Sequence, residues 1–223
     1  MSGYYAKRFF GKAKTPIVGY NFNGQTLDQY GALNQTLVGG ATITGDKLNV
    51  TAAGQYSQSL DPTGIASFGS GAFSIACKVR LNSVVSQQIM AAKRDDSNTV
   101  NGGKAEWQFR FLNGNLNFIV YDSSKSIASN VSIISNQTLL INSDYKVAVT
   151  FSGGSLNTGF KMYVNGVQVA ATLGGGGTYE QMRNNGSSLR LGNYLDFTFP
   201  ILGSLDDFKL FNVELTSYEV ANL

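Results

Sequence analysis

The chain of 223 residues has no histidine, a single cysteine and a single tryptophan. Without histidine it has neither a Ser-His-Asp nor a Cys-His catalytic unit, and no imidazole to ligate a metal. One cysteine, Cys77, excludes an internal disulfide and every cysteine-rich zinc site. Charge is also sparse: Asp, Glu, Lys and Arg supply 14% of the residues, against about 25% in an average soluble domain. No stretch approaches the roughly 20 apolar residues of a membrane span. The basic start lacks the apolar run of a secretory signal.

Glycine, by contrast, occurs 26 times, and 43% of the residues are hydrophobic, which is enough for a sizeable core. The formal charge of +3 is unevenly spread. Residues 1–16 hold Lys7, Arg8, Lys12 and Lys14 and no acid. The rest keeps 13 of the 17 basic residues against all 14 acids, a net of −1. We therefore divide the chain into a basic N-terminal arm, 1–16, and a single nearly neutral domain, 17–223.

That domain has the period of β-structure. Phe73, Ile75, Cys77, Val79 and Leu81 alternate with polar or small residues, which puts them on one face of a strand. Trp107, Phe109 and Phe111 alternate with Glu106, Gln108 and Arg110, and Asn113-Gly114 then turns the chain into Leu116, Phe118 and Val120. Asn-Gly between alternating runs predicts a two-residue hairpin, because both turn positions need positive φ. Tyr145, Val147, Val149 and Phe151 repeat the pattern, as do Phe160, Met162 and Val164 before a second Asn165-Gly166 hairpin. Leu189-Arg190-Leu191 and the run from Leu205 to Phe211 supply the last strands. The helical signal is Thr216-Ser217-Tyr218-Glu219, a capping-box spacing that predicts a turn or two of helix. The tract Gly174-Gly175-Gly176-Gly177 reads as a flexible loop. These patterns predict an all-β, two-sheet antiparallel jelly-roll sandwich with a short C-terminal helical turn.

The motifs fall in a familiar order. Phe73-Ser74-Ile75-Ala76-Cys77-Lys78-Val79 resembles the core strand of laminin G-like domains in the concanavalin A-like lectin/glucanase superfamily. Tyr145-Lys146-Val147-Ala148-Val149-Thr150-Phe151 is similar to that family's W-H-V-A-V-T-F strand. Lys161-Met162-Tyr163-Val164-Asn165-Gly166-Val167 resembles its K-L-Y-V-N-G-V hairpin, and Gly203-Ser204-Leu205-Asp206-Asp207 its G-x-I-D-D strand. The departures are Lys78 in place of a tryptophan and Tyr145-Lys146 in place of Trp-His. The resemblance implies a jelly roll that binds glycans or proteins and in some members calcium. It places the calcium candidates at Asp28 and Asp206, with no other cofactor expected.

Carboxylates decide against an enzyme. A glycosidase needs two acids about 5–9.5 Å apart across one bond. The chain has four glutamates, Glu106, Glu180, Glu214 and Glu219, and none has a second acid at Glu-x-Asp-x-x-Glu spacing. A non-catalytic role is the expectation. Gln108, Arg110, Asn117, Lys161 and Tyr163 all fall on the outward face of their strands, so they are the candidate glycan contacts on one exposed surface. The loop aromatics Tyr179, Tyr194, Phe197 and Phe199 are candidates for a cluster at an edge.

The arm interleaves its charges with Tyr4, Tyr5, Phe9 and Phe10. Four charges give modest, salt-sensitive affinity for nucleic acid, whereas exposed aromatics favour burial against a protein. This combination leads us to expect a virion structural protein, such as a capsid decoration, fibre or tail-attached component, made in the host cytoplasm. In that reading Tyr4, Tyr5, Lys7, Arg8, Phe9, Phe10, Lys12 and Lys14 anchor a homo-oligomeric assembly, and the sandwich faces outward. The alternative is an extracellular or cell-surface carbohydrate-binding lectin.

Overall fold

Alternating strands bury one face each, and here two sets of them close on each other. A computed structural model describes residues 13–31, 33–95, 104–125, 128–194 and 198–223. Sheet I contains β1 (Val18–Tyr20), β3 (Thr42–Thr44), β4 (Lys47–Val50), β6 (Phe73–Leu81), β11 (Asp144–Phe151), β12 (Phe160–Val164), β13 (Val167–Val169) and β16 (Gly203–Phe211). Sheet II contains β2 (Thr36–Val38), β5 (Tyr56–Ser59), β7 (Gln87–Asp95), β8 (Lys104–Leu112), β9 (Asn115–Tyr121), β10 (Asn130–Thr138), β14 (Ala171–Gly176) and β15 (Leu189–Leu191). Sheet I runs β13-β12-β11-β6-β16-β4-β3, with β1 also on β16, and sheet II runs β14-β10-β9-β8-β7-β15-β5-β2. Every pairing is antiparallel. The fold is the expected jelly-roll sandwich.

Both Asn-Gly turns form as read. Asn113 and Gly114 have φ of 50° and 80°, and Asn165 and Gly166 have 50° and 79°. The strands on either side end and begin without a gap, at Leu112/Asn115 and Val164/Val167. The core between the sheets is aromatic. Phe73 packs on Phe118 and Phe151 at 5.6 and 5.4 Å between ring centroids, and Trp107 stacks on Phe118 at 6.1 Å. Burying one such ring contributes roughly 1.5–3 kcal/mol.

Two features were not anticipated. First, the glycine tract is not a loop: Gly174, Gly175 and Gly176 lie in edge strand β14, in register with Ser132, Val131 and Asn130 of β10. Second, the core contains a charge cluster. Lys93, Glu106 and Asp61 are each 0% exposed. Lys93 Nζ lies 2.9 Å from Glu106 Oε1, 3.4 Å from Asp61 Oδ2 and 2.9 Å from the Ser187 carbonyl oxygen. The register of β7 and β8 shifts between Lys93 and Arg94. That irregularity lies beside Glu106, whose carboxylate reaches the buried Lys93 rather than solvent. The cluster ties loops to the sheet: Asp61 accepts the N–H groups of Ile65 and Ala66 at 2.8 and 2.9 Å. Glu106 accepts the Asn185 N–H at 3.1 Å and the Ser67 hydroxyl. Burial pushes the Glu106 carboxyl up from its ordinary value, against the pull of Lys93 and of its hydrogen bonds from Ser67 and Asn185.

The helix α1 (Ser217–Ala221) starts at the capping box, with Glu219 N–H on Thr216 Oγ1 and Thr216 N–H on Glu219 Oε2. It lies over the outer face of sheet I, where Val220 and Leu215 join Ala76, Ala148, Tyr163 and Phe211 in a second small core.

Candidate functional site

The register of sheet II aligns side chains from many strands on its outer face. Gln58, Arg190, Ala92, Gln108, Ile119 and Ser132 form one row across six strands. Ile89, Arg110, Asn117, Ile134 and Thr172 form the next. Where these rows cross β8 and β9 they form a hydrogen-bonded cluster. Arg110 Nε donates to Asn117 Oδ1 at 2.7 Å, and its Nη1 donates to Gln87 Oε1 at 3.0 Å and Gln108 Oε1 at 3.4 Å. Asn117 Nδ2 donates to the Ile133 carbonyl, which fixes its amide.

Tyrosines and a second arginine flank the cluster. The Arg94 guanidinium carbon lies 5.3 Å from the centre of the Tyr121 ring and 5.2 Å from that of Tyr194. The Tyr121 hydroxyl sits 3.2 Å from both Arg94 Nη1 and Gln108 Oε1. Tyr194 and Phe199 stack at 6.1 Å and cover Ile89 and Ala92. Further along the row, Arg190 lies over Tyr56 at 5.4 Å and donates to Gln58 Oε1. Burial lowers the Arg110 pKa and the nearby Arg94 charge adds to this, while Tyr121 and Tyr194 oppose it.

Three of the five sequence candidates, Gln108, Arg110 and Asn117, therefore meet. The other two do not join them. Lys161 and Tyr163 belong to β12 of sheet I, on the opposite side of the sandwich. Lys161 is ion-paired with Glu214 at 2.8 Å, and Tyr163 is 1% exposed beneath α1 with Ser217 Oγ 3.3 Å from its hydroxyl. The expectation of a single surface was wrong because alternation gives the face of a strand but not its sheet. Gln108 and Asn117 are also buried rather than exposed, at 0% and 4%. Alternation alone did not single out Arg94, Arg190, Tyr56 and Tyr121. The one signal available was Arg190, flanked by two leucines.

Of the loop aromatics, Tyr179 packs in the main core and Phe197 lies outside the described residues. So do Tyr4, Tyr5, Lys7, Arg8, Phe9, Phe10 and Lys12 of the arm; Lys14 is exposed. The calcium candidates are engaged otherwise. Asp28 Oδ1 accepts the N–H of Gly19 at 2.9 Å and of Tyr30 at 3.1 Å, and Oδ2 that of Leu33 at 3.3 Å. Asp206 lies 3.6 Å from Lys78 Nζ and accepts the Asp207 N–H. Among the described residues no three His, Cys, Asp or Glu side chains converge as a metal site would need.

Sheet I has its own groove of about 490 Å³, lined by Lys47, Lys78, Arg80, Asp144, Lys146 and Asp206 among others. Its charges are largely paired internally: Asp144 meets Lys47 and Arg80 at 3.2 Å each. No helix among the described residues is long and apolar enough to cross a membrane.

The same architecture occurs in solved structures of low sequence identity. The botulinum neurotoxin serotype G binding domain superposes with a TM-score of 0.65 at 14% identity, covering 93% of this chain and 50% of that one. A botulinum neurotoxin type C structure, described as entering cells through two ganglioside molecules, gives 0.63 at 16% identity over 94% and 50%. The chain thus spans about half the length of these toxin domains. Domain 4 of AbnA, an extracellular GH43 arabinanase from Geobacillus stearothermophilus solved with arabinotriose, gives 0.63 at 15% identity and is matched over 98% of its length and 95% of this chain. No protein of curated function matches the sequence significantly. Residues 51–221 match the laminin G-like profile of the concanavalin A-like lectin/glucanase superfamily, and the chain belongs to that superfamily.

Proposed function

We propose that this chain is a non-catalytic glycan-binding module whose contact surface is the outer face of sheet II. The supporting observation is the Arg110–Gln108–Asn117 cluster, framed by Arg94, Tyr121 and Tyr194. Fixed amides and guanidinium groups beside aromatic rings are the groups that orient a polar ligand. The outer face of sheet I offers less, since α1 covers part of it. That the arabinanase domain, matched over 98% of its length, was solved with an oligosaccharide supports the same class of ligand. The non-catalytic part of the reading is supported by Glu106. It is the one glutamate on the strands of sheet II and is buried against Lys93, so it is not available as one of the two carboxyl groups that glycoside hydrolysis needs.

A glycan array followed by titration calorimetry tests this. Binding should appear for at least one oligosaccharide class and be lost in Tyr194→Ala with the circular dichroism spectrum unchanged. Retention of full affinity in that variant would move the site elsewhere.

A second reading makes the sandwich an outward-facing part of a virion or similar assembly. It rests on the four basic residues and four aromatics concentrated in the acid-free residues 1–16. Deleting residues 1–16 should leave a folded sandwich that no longer incorporates into particles; unchanged incorporation would refute the anchor.

A further inference from the structure

The unspent polar atoms on the outer face of sheet II are of one kind. Gln108 Oε1 accepts from Tyr121 and Arg110, but its Nε2 is buried and donates to nothing. Arg190 gives Nε to Gln58, and its Nη1 is buried without an acceptor. Arg110 uses Nε and Nη1, and its Nη2 has no acceptor among the described residues. In the loop that carries Tyr194 onto the face, Asn193 Nδ2 is a further buried donor without a partner. All four are N–H donors.

Charge points the same way. Neither Arg110 nor Arg190 pairs with a carboxylate among the described residues; their partners are the neutral side chains of Asn117, Gln87, Gln108 and Gln58. The half-buried guanidinium of Arg110 thus meets only neutral acceptors among the described residues. Buried charges are ordinarily paired, and buried donors ordinarily find acceptors. A neutral sugar hydroxyl can accept one hydrogen bond from such a site but brings no charge. A carboxylate accepts several and matches the fork of an arginine.

We infer that this face selects an acidic saccharide, whose carboxylate is received by Arg110 Nη2. This rests on the reading of the face as a glycan contact surface and adds the chemical class of the sugar. Arg190 stands in the same row as Gln108 two strands away, about 10 Å at the usual strand spacing. It therefore serves a neighbouring unit of the same oligosaccharide.

The experiment is a calorimetric titration of the full chain with uronate-containing and sialylated oligosaccharides. Each is paired with the same compound after reduction of its carboxyl groups to alcohols, and sulfated neutral oligosaccharides form a third arm. At least one acid should bind about tenfold or more tightly than its reduced partner, and the gap should narrow as salt is raised. Arg110→Gln should erase the preference for the acid over its reduced partner. If that variant loses its fold, Arg190→Gln on the same row should weaken binding of the longer acids. Equal binding of acid and reduced partner overturns the inference and leaves the glycan reading intact. A preference for sulfate over carboxylate overturns the assignment of the anion. Absence of binding in every arm overturns the glycan reading itself.

Discussion

Replacing Lys93 by methionine removes the cation from the buried cluster and strands two carboxylates. At an effective dielectric of about 20, the contacts at 2.9 and 3.4 Å correspond to about 6 and 5 kcal/mol of gross attraction. Freeing the ammonium from its own burial cost returns much of this, so the expected net loss is about 3–5 kcal/mol. Asp61 keeps its two backbone N–H donors, and Glu106 keeps Ser67 and Asn185. Of the two, Glu106 has its folded-state pKa raised by burial, and without Lys93 it rises further. A carboxyl with a raised folded pKa contributes stability that is fully present below the unfolded value and lost as pH rises through the folded one. Lys93→Met should therefore be least stable at neutral and alkaline pH and regain stability on mild acidification. Lys93→Met with Glu106→Gln should recover part of the loss at neutral pH and flatten the pH response. The assay is urea unfolding across pH, followed by the fluorescence of Trp107, the single tryptophan, whose Nε1 bonds the Ala66 carbonyl of the loop that Asp61 caps. A loss under 1 kcal/mol with no pH dependence would refute the reasoning, as would a double variant no more stable than Lys93→Met.

The remaining expectations are simpler. Gly114→Ala should cost about 1–2 kcal/mol in the same assay, because φ is +80° there and the added carbon would sit 2.8 Å from Thr138 Cγ2. Asp144→Asn should change stability by less than about 1 kcal/mol, since both of its ion pairs are solvent-exposed. A larger change would mean that the sheet I groove is more than a solvated rim. Cys77 should resist thiol reagents in the folded protein and react once unfolded, because burial first, and then Asp207 and Asp206, push its pKa up.

Which parts of this structure were legible in the residues follows from the range of the forces involved. The Asn-Gly hairpins, the strand Phe73–Leu81 and the Thr216 capping box are set by neighbours within a few positions, and each formed where expected. Strand β7 gave no such signal. Its Lys93-Arg94-Asp95 end, with the Asp96-Ser97-Asn98 that follows in sequence, reads as a polar turn, because the partners that make Lys93 a core residue lie 13 and 32 positions away, at Glu106 and Asp61. The candidate site divides in the same way. Alternation put Gln108, Arg110 and Asn117 on one face correctly, since a hairpin joins their strands. It could not show that Lys161 and Tyr163 belong to the other sheet, nor that Arg94 and Tyr194 would converge from β7 and a loop.

The glycine tract shows how misleading composition can be at close quarters. A side-chain carbon at Gly175 would lie 2.5 Å from the Asn130 carbonyl oxygen, and one at Gly177 2.6 Å from Ser129 Oγ. At Gly174 it would lie 2.9 Å from Ser132 Oγ. A run that looks like interchangeable spacer is a joint with almost no clearance. Lengthening or recoding it as a linker, the usual liberty taken with Gly-rich segments, would pry the edge of the sheet open rather than loosen a loop.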